Sequence, residues 1–176
     1  MRALPPLVLL AALIGCNQAT ASVGHDVETV FYISKSDDHN RVDYGIHLDS
    51  TCAPVGAAAV YPYWREFEPP PPVRTHKLGV FEGRAYGISS QHTIKKTGDG
   101  GILEIRLRQF DSMLITITTK KERDGCVAQA VTTIAGKQAE LVSVHVTLKG
   151  AMSVDHVVVH GTDLQTRAPI EERIAR

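Results

Sequence analysis

The chain has 176 residues, 43% of them apolar, with 19 Lys and Arg against 19 Asp and Glu. That length suits one domain with a sizeable core, and that apolar fraction excludes a disordered or wholly membrane-embedded chain. Balanced charge without a basic cluster excludes the electrostatic footprint of a nucleic-acid binder.

Arg2 precedes an uncharged apolar run from Leu4 to Gly15 that contains Pro5 and Pro6. As a helix this run would span roughly 18 Å, against a bilayer core of about 30 Å. It is too short to cross a membrane and has the length of the apolar segment of a signal peptide. It ends in Leu13-Ile14-Gly15-Cys16, which resembles the lipobox of bacterial lipoproteins. The resemblance implies that residues 1–15 are a signal peptide and that the chain is cleaved before Cys16. It also implies a diacylglycerol on the Cys16 sulfur and acylation of the new amine, so the membrane is the implied partner. Two or more acyl chains anchor a protein stably, at about 0.8 kcal/mol per buried CH₂. Asn17 is not the Asp associated with inner-membrane retention, which favours the outer membrane, with the domain in the periplasm or outside. The alternative is a soluble secreted protein cleaved after Ala19-Thr20-Ala21, a small-x-small site.

Three cysteines are an awkward count in an oxidising compartment. Under either fate Cys16 leaves the thiol pool, and Cys52 and Cys126 remain. A disulfide between them would close a loop of 74 positions, worth about 4 kcal/mol at most by chain entropy. Two separately buried thiols are the alternative.

Residues 16–26 are small and polar and read as a tether. Val27 to Ile33 is rich in β-formers and predicts a first strand. Ser36 to Asn40 is turn chemistry. Val42, Tyr44, Ile46 and Leu48 then alternate with polar residues, as in a half-buried strand. A third strand is expected within Ala57–Trp64, demoted to an edge or cut short by Pro62. Pro69 to Pro72 forces an extended, stiff loop. From His76 to Gln91 the pattern is indistinct, with a short helix expected around Leu78–Tyr86 despite Gly79 and Gly83. Leu103, Ile105 and Leu107 alternate cleanly, as do Met113, Ile115 and Ile117. Further strands are expected at 126–134, 140–148 and 152–160, separated by glycine-containing turns. The expected fold is all-β over 27–176: one domain, mainly an antiparallel meander, barrel or sandwich, with at most one or two short helices.

Chemistry is harder to find. If Gly150-Ala151 is a two-residue hairpin turn, His145 faces His156 and Leu141 faces His160. His145, His156 and His160 then share a face with Ser143, Thr147 and Val158, while Val142, Val144, Val146, Leu148, Val157 and Val159 form the core face. Two facing imidazoles can share a metal ion, but zinc needs a third protein ligand, which the sequence does not name. Ser36, Asp37, Asp38 and His39 contain triad residue types, yet neighbours in one turn lack triad geometry. No nucleophile elbow, phosphate loop or His-Glu-x-x-His motif is present. Tyr61, Trp64 and Tyr86 are candidate ligand-binding aromatics if exposed, and core residues otherwise.

Phe31-Tyr32-Ile33 with Ser36, Asn40-x-Val42-x-Tyr44, Tyr61 with Trp64, Ala85-Tyr86-Gly87-Ile88 and Gly161-x-Asp163 occur in an order that resembles the bacterial domain-of-unknown-function family 4833. The likeness covers about residues 28–174. It implies a single envelope-associated domain and names no reaction, ligand or cofactor. The expectation is therefore a non-enzymatic binding or structural module of the bacterial envelope, with a protein, glycan or lipid partner left open. The alternatives are a metal-binding protein using His145 and His156, or a barrel holding an apolar ligand.

Overall fold

The computed structural model describes residues 26–36, 38–67, 73–149 and 153–175. The signal-peptide and tether readings, Cys16, the proline run and the Gly150-Ala151 turn lie outside the described residues. Within them the fold is all-β, with eleven strands and one short helix. The strands are β1 (Val27–Lys35), β2 (Asp38–Ile46), β3 (Val60–Glu66), β4 (Arg74–Lys77), β5 (Ile88–Thr97), β6 (Gly100–Leu107), β7 (Phe110–Glu122), β8 (Gly125–Ile134), β9 (Lys137–Lys149), β10 (Ser153–Asp163) and β11 (Pro169–Ala175). Helix α1 (Val80–Tyr86) sits between β4 and β5.

The strands pair in the order β4-β3-β2-β1-β9-β8-β7-β6-β5, with β10 on β9 and β11 on β10, and the sheet is not closed into a barrel. Strand β9 is its spine. Along Lys137–Glu140 it pairs with β8, and along Ser143–Val146 it pairs in parallel with β1. Its other edge carries β10. Val142, between the two stretches, is an extra residue: His160 pairs with Ser143 and Gly161 with Leu141. Such a bulge bends and twists a strand, and here β9 leaves one wing of the sheet and joins the other. The inner positions change accordingly from Ala139 and Leu141 to Val144 and Val146.

The bulge also corrects the sequence reading of this hairpin. Val142 is exposed rather than in the core, and Leu141 is buried opposite Gly161 rather than facing His160. Gly161 allows this crossing, because a Cβ there would stand 2.4 Å from the Glu140 carbonyl oxygen and 2.6 Å from Ile134 Cδ1.

The two wings close on one core. Phe31, Tyr44 and Ile46 from β1–β2 meet Ile105, Ile115 and Ile117 from β6–β7 in a single buried cluster. Phe31 and Tyr44 stack at 4.4 Å between centroids, and the buried Tyr44 hydroxyl donates to the Tyr86 carbonyl at 2.6 Å. Burial pushes the Tyr44 phenol upward, so it stays neutral and keeps its proton for that bond. The wings are also joined outside the core. Cys52 and Cys126 form a disulfide with Cα atoms 5.4 Å apart, and Thr119 Oγ1 donates to the Cys52 carbonyl at 2.7 Å.

Local boundaries shift for visible reasons. The expected turn at 36–40 is shorter, since β2 already begins at Asp38. The third strand begins at Val60 rather than Ala57 and continues to Glu66. Pro62 lies inside β3, but β4 pairs only from Tyr63 onward, so β3 has a free edge at the proline.

Candidate functional site

Side-chain alternation on β2 and β3 sends Val42, Tyr44, Ile46, Val60 and Trp64 inward. It sends Arg41, Asp43, Tyr61, Tyr63 and Arg65 to the opposite face, which carries most of the polar structure of this wing. Asp43 is completely buried (0% exposed) among them. A buried carboxylate needs compensation, and this one has four partners, of which the Tyr63 hydroxyl, donating to Oδ2 at 3.4 Å, is the most distant. Arg41 Nε donates to Oδ1 at 2.6 Å, Thr29 Oγ1 donates to Oδ2 at 2.9 Å, and Arg65 Nε forms an ion pair with Oδ2 at 2.5 Å without hydrogen-bond alignment.

Aromatic rings hold the two guanidinium groups in place. Arg41 lies over Tyr32 at 4.2 Å and Phe67 at 5.3 Å, and Arg65 over Tyr63 at 5.5 Å. Arg65 also donates to the Tyr63 hydroxyl at 2.6 Å, while that hydroxyl donates to the Glu28 carbonyl at 3.0 Å. Burial works against the Arg65 charge, but Tyr63 and Asp43 more than offset it and hold the guanidinium above its ordinary value.

Beside this cluster lies an open groove of about 850 Å³, with Tyr61, Pro62, Tyr63, Val73 and Leu78 among its walls. Tyr61 pairs across the ladder with Gly45, and a Cβ on Gly45 would stand 2.7 Å from the Tyr61 ring. Glycine at that one position lets the hydroxyl end of the ring pass close over β2. His47 stacks on Tyr61 at 4.1 Å and bonds Asp26 through Nδ1 at 2.9 Å, and Tyr63 follows at 5.9 Å. Burial first, then the nearby Asp26 carboxylate, pushes the Tyr61 phenol upward. The rim carries Glu28, Arg65, Lys77 and His76. The Lys77 carbonyl first, then Glu66, raise the His76 imidazole above its ordinary value.

The three candidate aromatics do not come together in this groove. Tyr61 and Trp64 are three residues apart on one strand and so face opposite ways. Tyr61 lines the groove, whereas Trp64 packs in the core, 6.2 Å from Tyr86, itself partly buried against that core. The residues missed were Gly45, Asp43 and Arg41 on β2 and Lys77 on the unforeseen β4. Period-two counting across β2 and β3 together was the available signal.

The histidines are on the face expected for them, in a different register. His145 pairs with Val158 and His156 with Thr147, because Lys149 pairs with Ser153 rather than Met152 and Asp155 is an extra residue on β10. His145 and His156 are therefore not facing neighbours. Each has its own partner: Ser34 Oγ for His145 at 2.9 Å, Asp155 Oδ2 for His156 at 2.7 Å, and Glu171 for His160 at 3.6 Å. Among the described residues no group of three or more His, Cys, Asp or Glu is placed to hold a metal ion. Of the turn residues with triad types, Asp38 is paired with Lys35 at 3.4 Å and caps Asn40 N at 2.9 Å.

The order of motifs around this face is explained by the fold. Gly161 is the crossing residue at the bulge, and Asp163 Oδ1 accepts from Gln165 N and Thr166 N to close the turn into β11. Tyr86 receives the Tyr44 hydroxyl, and Gly87 ends α1. No curated protein and no solved structure matches the chain. The model of the family described as Domain of unknown function (DUF4833) matches residues 31–173, and the chain belongs to that family.

Proposed function

We propose that the protein is a lipid-anchored envelope component whose β-domain is a non-enzymatic binding module, with the groove between β3 and the β4 segment as its ligand face. The observation that carries this reading is the groove wall. A glycine cleared for Tyr61, a buried carboxylate beneath two guanidinium groups and a file of stacked rings are more than a solvated sheet face requires. Preorganised walls of this kind lower the ordering cost of binding. Anchorage at Cys16 rests on the Leu13-Ile14-Gly15-Cys16 stretch, and the tether to Asp26 would keep the groove within about 35 Å of the bilayer surface, since an extended residue spans about 3.5 Å.

Two measurements test it. Labelled palmitate is incorporated by the wild-type chain and not by Cys16→Ala, and an unlabelled wild type overturns the anchor. Purified full-length Cys16→Ala protein co-sediments with washed envelope fragments, and Tyr61→Ala with Lys77→Ala abolishes this. Protein left wholly in the supernatant, or retention unaffected by those changes, overturns the binding reading.

A further inference from the structure

Strand β11 is an open border of the sheet. It pairs with β10 alone, and among the described residues no backbone group bonds its other side. Asp163 N donates to the Ala168 carbonyl at 2.9 Å, and the ladder runs from Thr162–Pro169 to His156–Ala175 without a register shift. Antiparallel bonding alternates, so Ile170, Glu172 and Ile174 turn their N–H and C=O groups to β10. Glu171, Arg173 and Ala175 turn theirs outward, as Pro169 does its carbonyl. Such a row is a template for another strand. It is little blunted. No bulge twists it away, Pro169 removes a donor only at its first residue, and the Glu172 carboxylate accepts from Ala135 N at 2.7 Å.

The residues of β11 say which strand fits. Pro169-Ile170-Glu171-Glu172-Arg173-Ile174-Ala175 is complementary to itself about Glu172. Laid antiparallel on a second copy with Glu172 at the axis, Ile170 meets Ile174 and Glu171 meets Arg173. This register also sets outward backbone groups against outward groups along the whole strand. Moving the axis to Glu171 or Arg173 keeps that phase, but it shortens the overlap and sets one of these charges against its own kind. Like charges directly opposite are destabilising. Glu171 and Arg173 are both exposed. Each touches a histidine of β10, Glu171 with His160 at 3.6 Å and Arg173 with His156 at 3.2 Å. A carboxylate and a guanidinium each have bonding capacity beyond one such contact. Ile170 and Ile174 pack partly buried against the core, so their pairing prolongs the apolar inner face.

We propose that two copies of the chain associate through β11, making one sheet continuous across a twofold axis. The facing Glu172 pair is the unfavourable contact at that axis. A foreign strand would take the backbone bonds but leave the charge symmetry without a role. Strands β4 and β11 end opposite borders of the run β4-β3-β2-β1-β9-β10-β11, so the pairing leaves a groove uncovered on each copy.

Sedimentation equilibrium of full-length Cys16→Ala protein tests this. A dimer with a Kd below about 100 µM is expected. Glu171→Arg and Arg173→Glu, both at exposed positions, each weaken it roughly tenfold or more, since opposite pairs become like pairs. Mixing these two variants restores association, and so does Glu171→Arg combined with Arg173→Glu in one chain. Glu172→Gln keeps an acceptor for Ala135 N and tightens the dimer roughly threefold by removing the central like pair. Thr118→Ala on the other wing changes nothing. Protein still monomeric at about 100 µM, a dimer indifferent to both single reversals, or one that mixing does not restore overturns the proposal.

Discussion

The two wings of the sheet share one core, yet their outward faces are built on different principles. On β6–β8 the outer row Glu104, Thr116 and Val131 is a ladder of ordinary exposed or half-exposed residues. On β1–β3 the corresponding face buries a carboxylate, clamps Arg41 between two rings and lays Tyr61 on a glycine. Both wings satisfy the fold through their inner alternation. The elaboration of one outer face is therefore surplus to folding, and this asymmetry is what singles out the groove.

The contrast can be broken most directly at Asp43. Replacing both Arg41 and Arg65 with Met leaves the buried carboxylate unpaired and costs about 3–5 kcal/mol in urea unfolding. Adding Asp43→Leu recovers much of that loss, since removing all three charges removes the desolvation penalty as well. Thr118→Ala, on the opposite outer face, stays within about 0.5 kcal/mol of wild type. If the double variant is no weaker than Thr118→Ala, the two faces do not differ energetically.

The tie between the wings is the next test. Cys52→Ala with Cys126→Ala loses about 2–4 kcal/mol, because the unfolded chain regains the freedom of a long loop. Unfolding remains a single transition, since the core is continuous across both wings. Two separate transitions would show that the wings are independent units.

The smallest effect is acid sensitivity. Backbone N–H groups of Thr166 and Gln165 lower the Asp163 carboxyl, and the Thr51 hydroxyl leads the groups that lower Asp49. Both folded values lie below the unfolded ones, so the stability they contribute is present in full above the unfolded value, about 3.9. It is lost as pH falls through the folded values. Asp163→Asn keeps an acceptor for the turn and flattens the decline in midpoint below about pH 4. An unchanged decline would remove Asp163 from the account.

Much of the fold was legible in the sequence because the inner faces obey a period of two. Leu103, Ile105 and Leu107 and the set around Tyr44 declare their strands without help. β5 did not, because an edge strand exposed on both faces, as in His92 to Thr97, carries no hydrophobic alternation. β11 escaped because Ile170 and Ile174 recur at a spacing that suits a helix as well as a strand. The β9–β10 register was misjudged because Lys149 pairs with Ser153 rather than Met152, and extra residues at Val142 and Asp155 are invisible to any even count. The groove was hidden for a related reason. Its parts sit on neighbouring strands, and Tyr61 and Trp64 look alike in a sequence although the pleat sends them to opposite sides.

The place of β9 has a consequence for how the molecule comes into being. Tyr32 meets Ser143 across a parallel ladder, a partner 111 positions further along the chain. The opening strands must therefore wait, unsatisfied along one border, until four-fifths of the polypeptide has been made. Such distant closure is slow, and a polypeptide that finishes late remains threadable for longer. Under the export proposed above, tardy completion is an advantage.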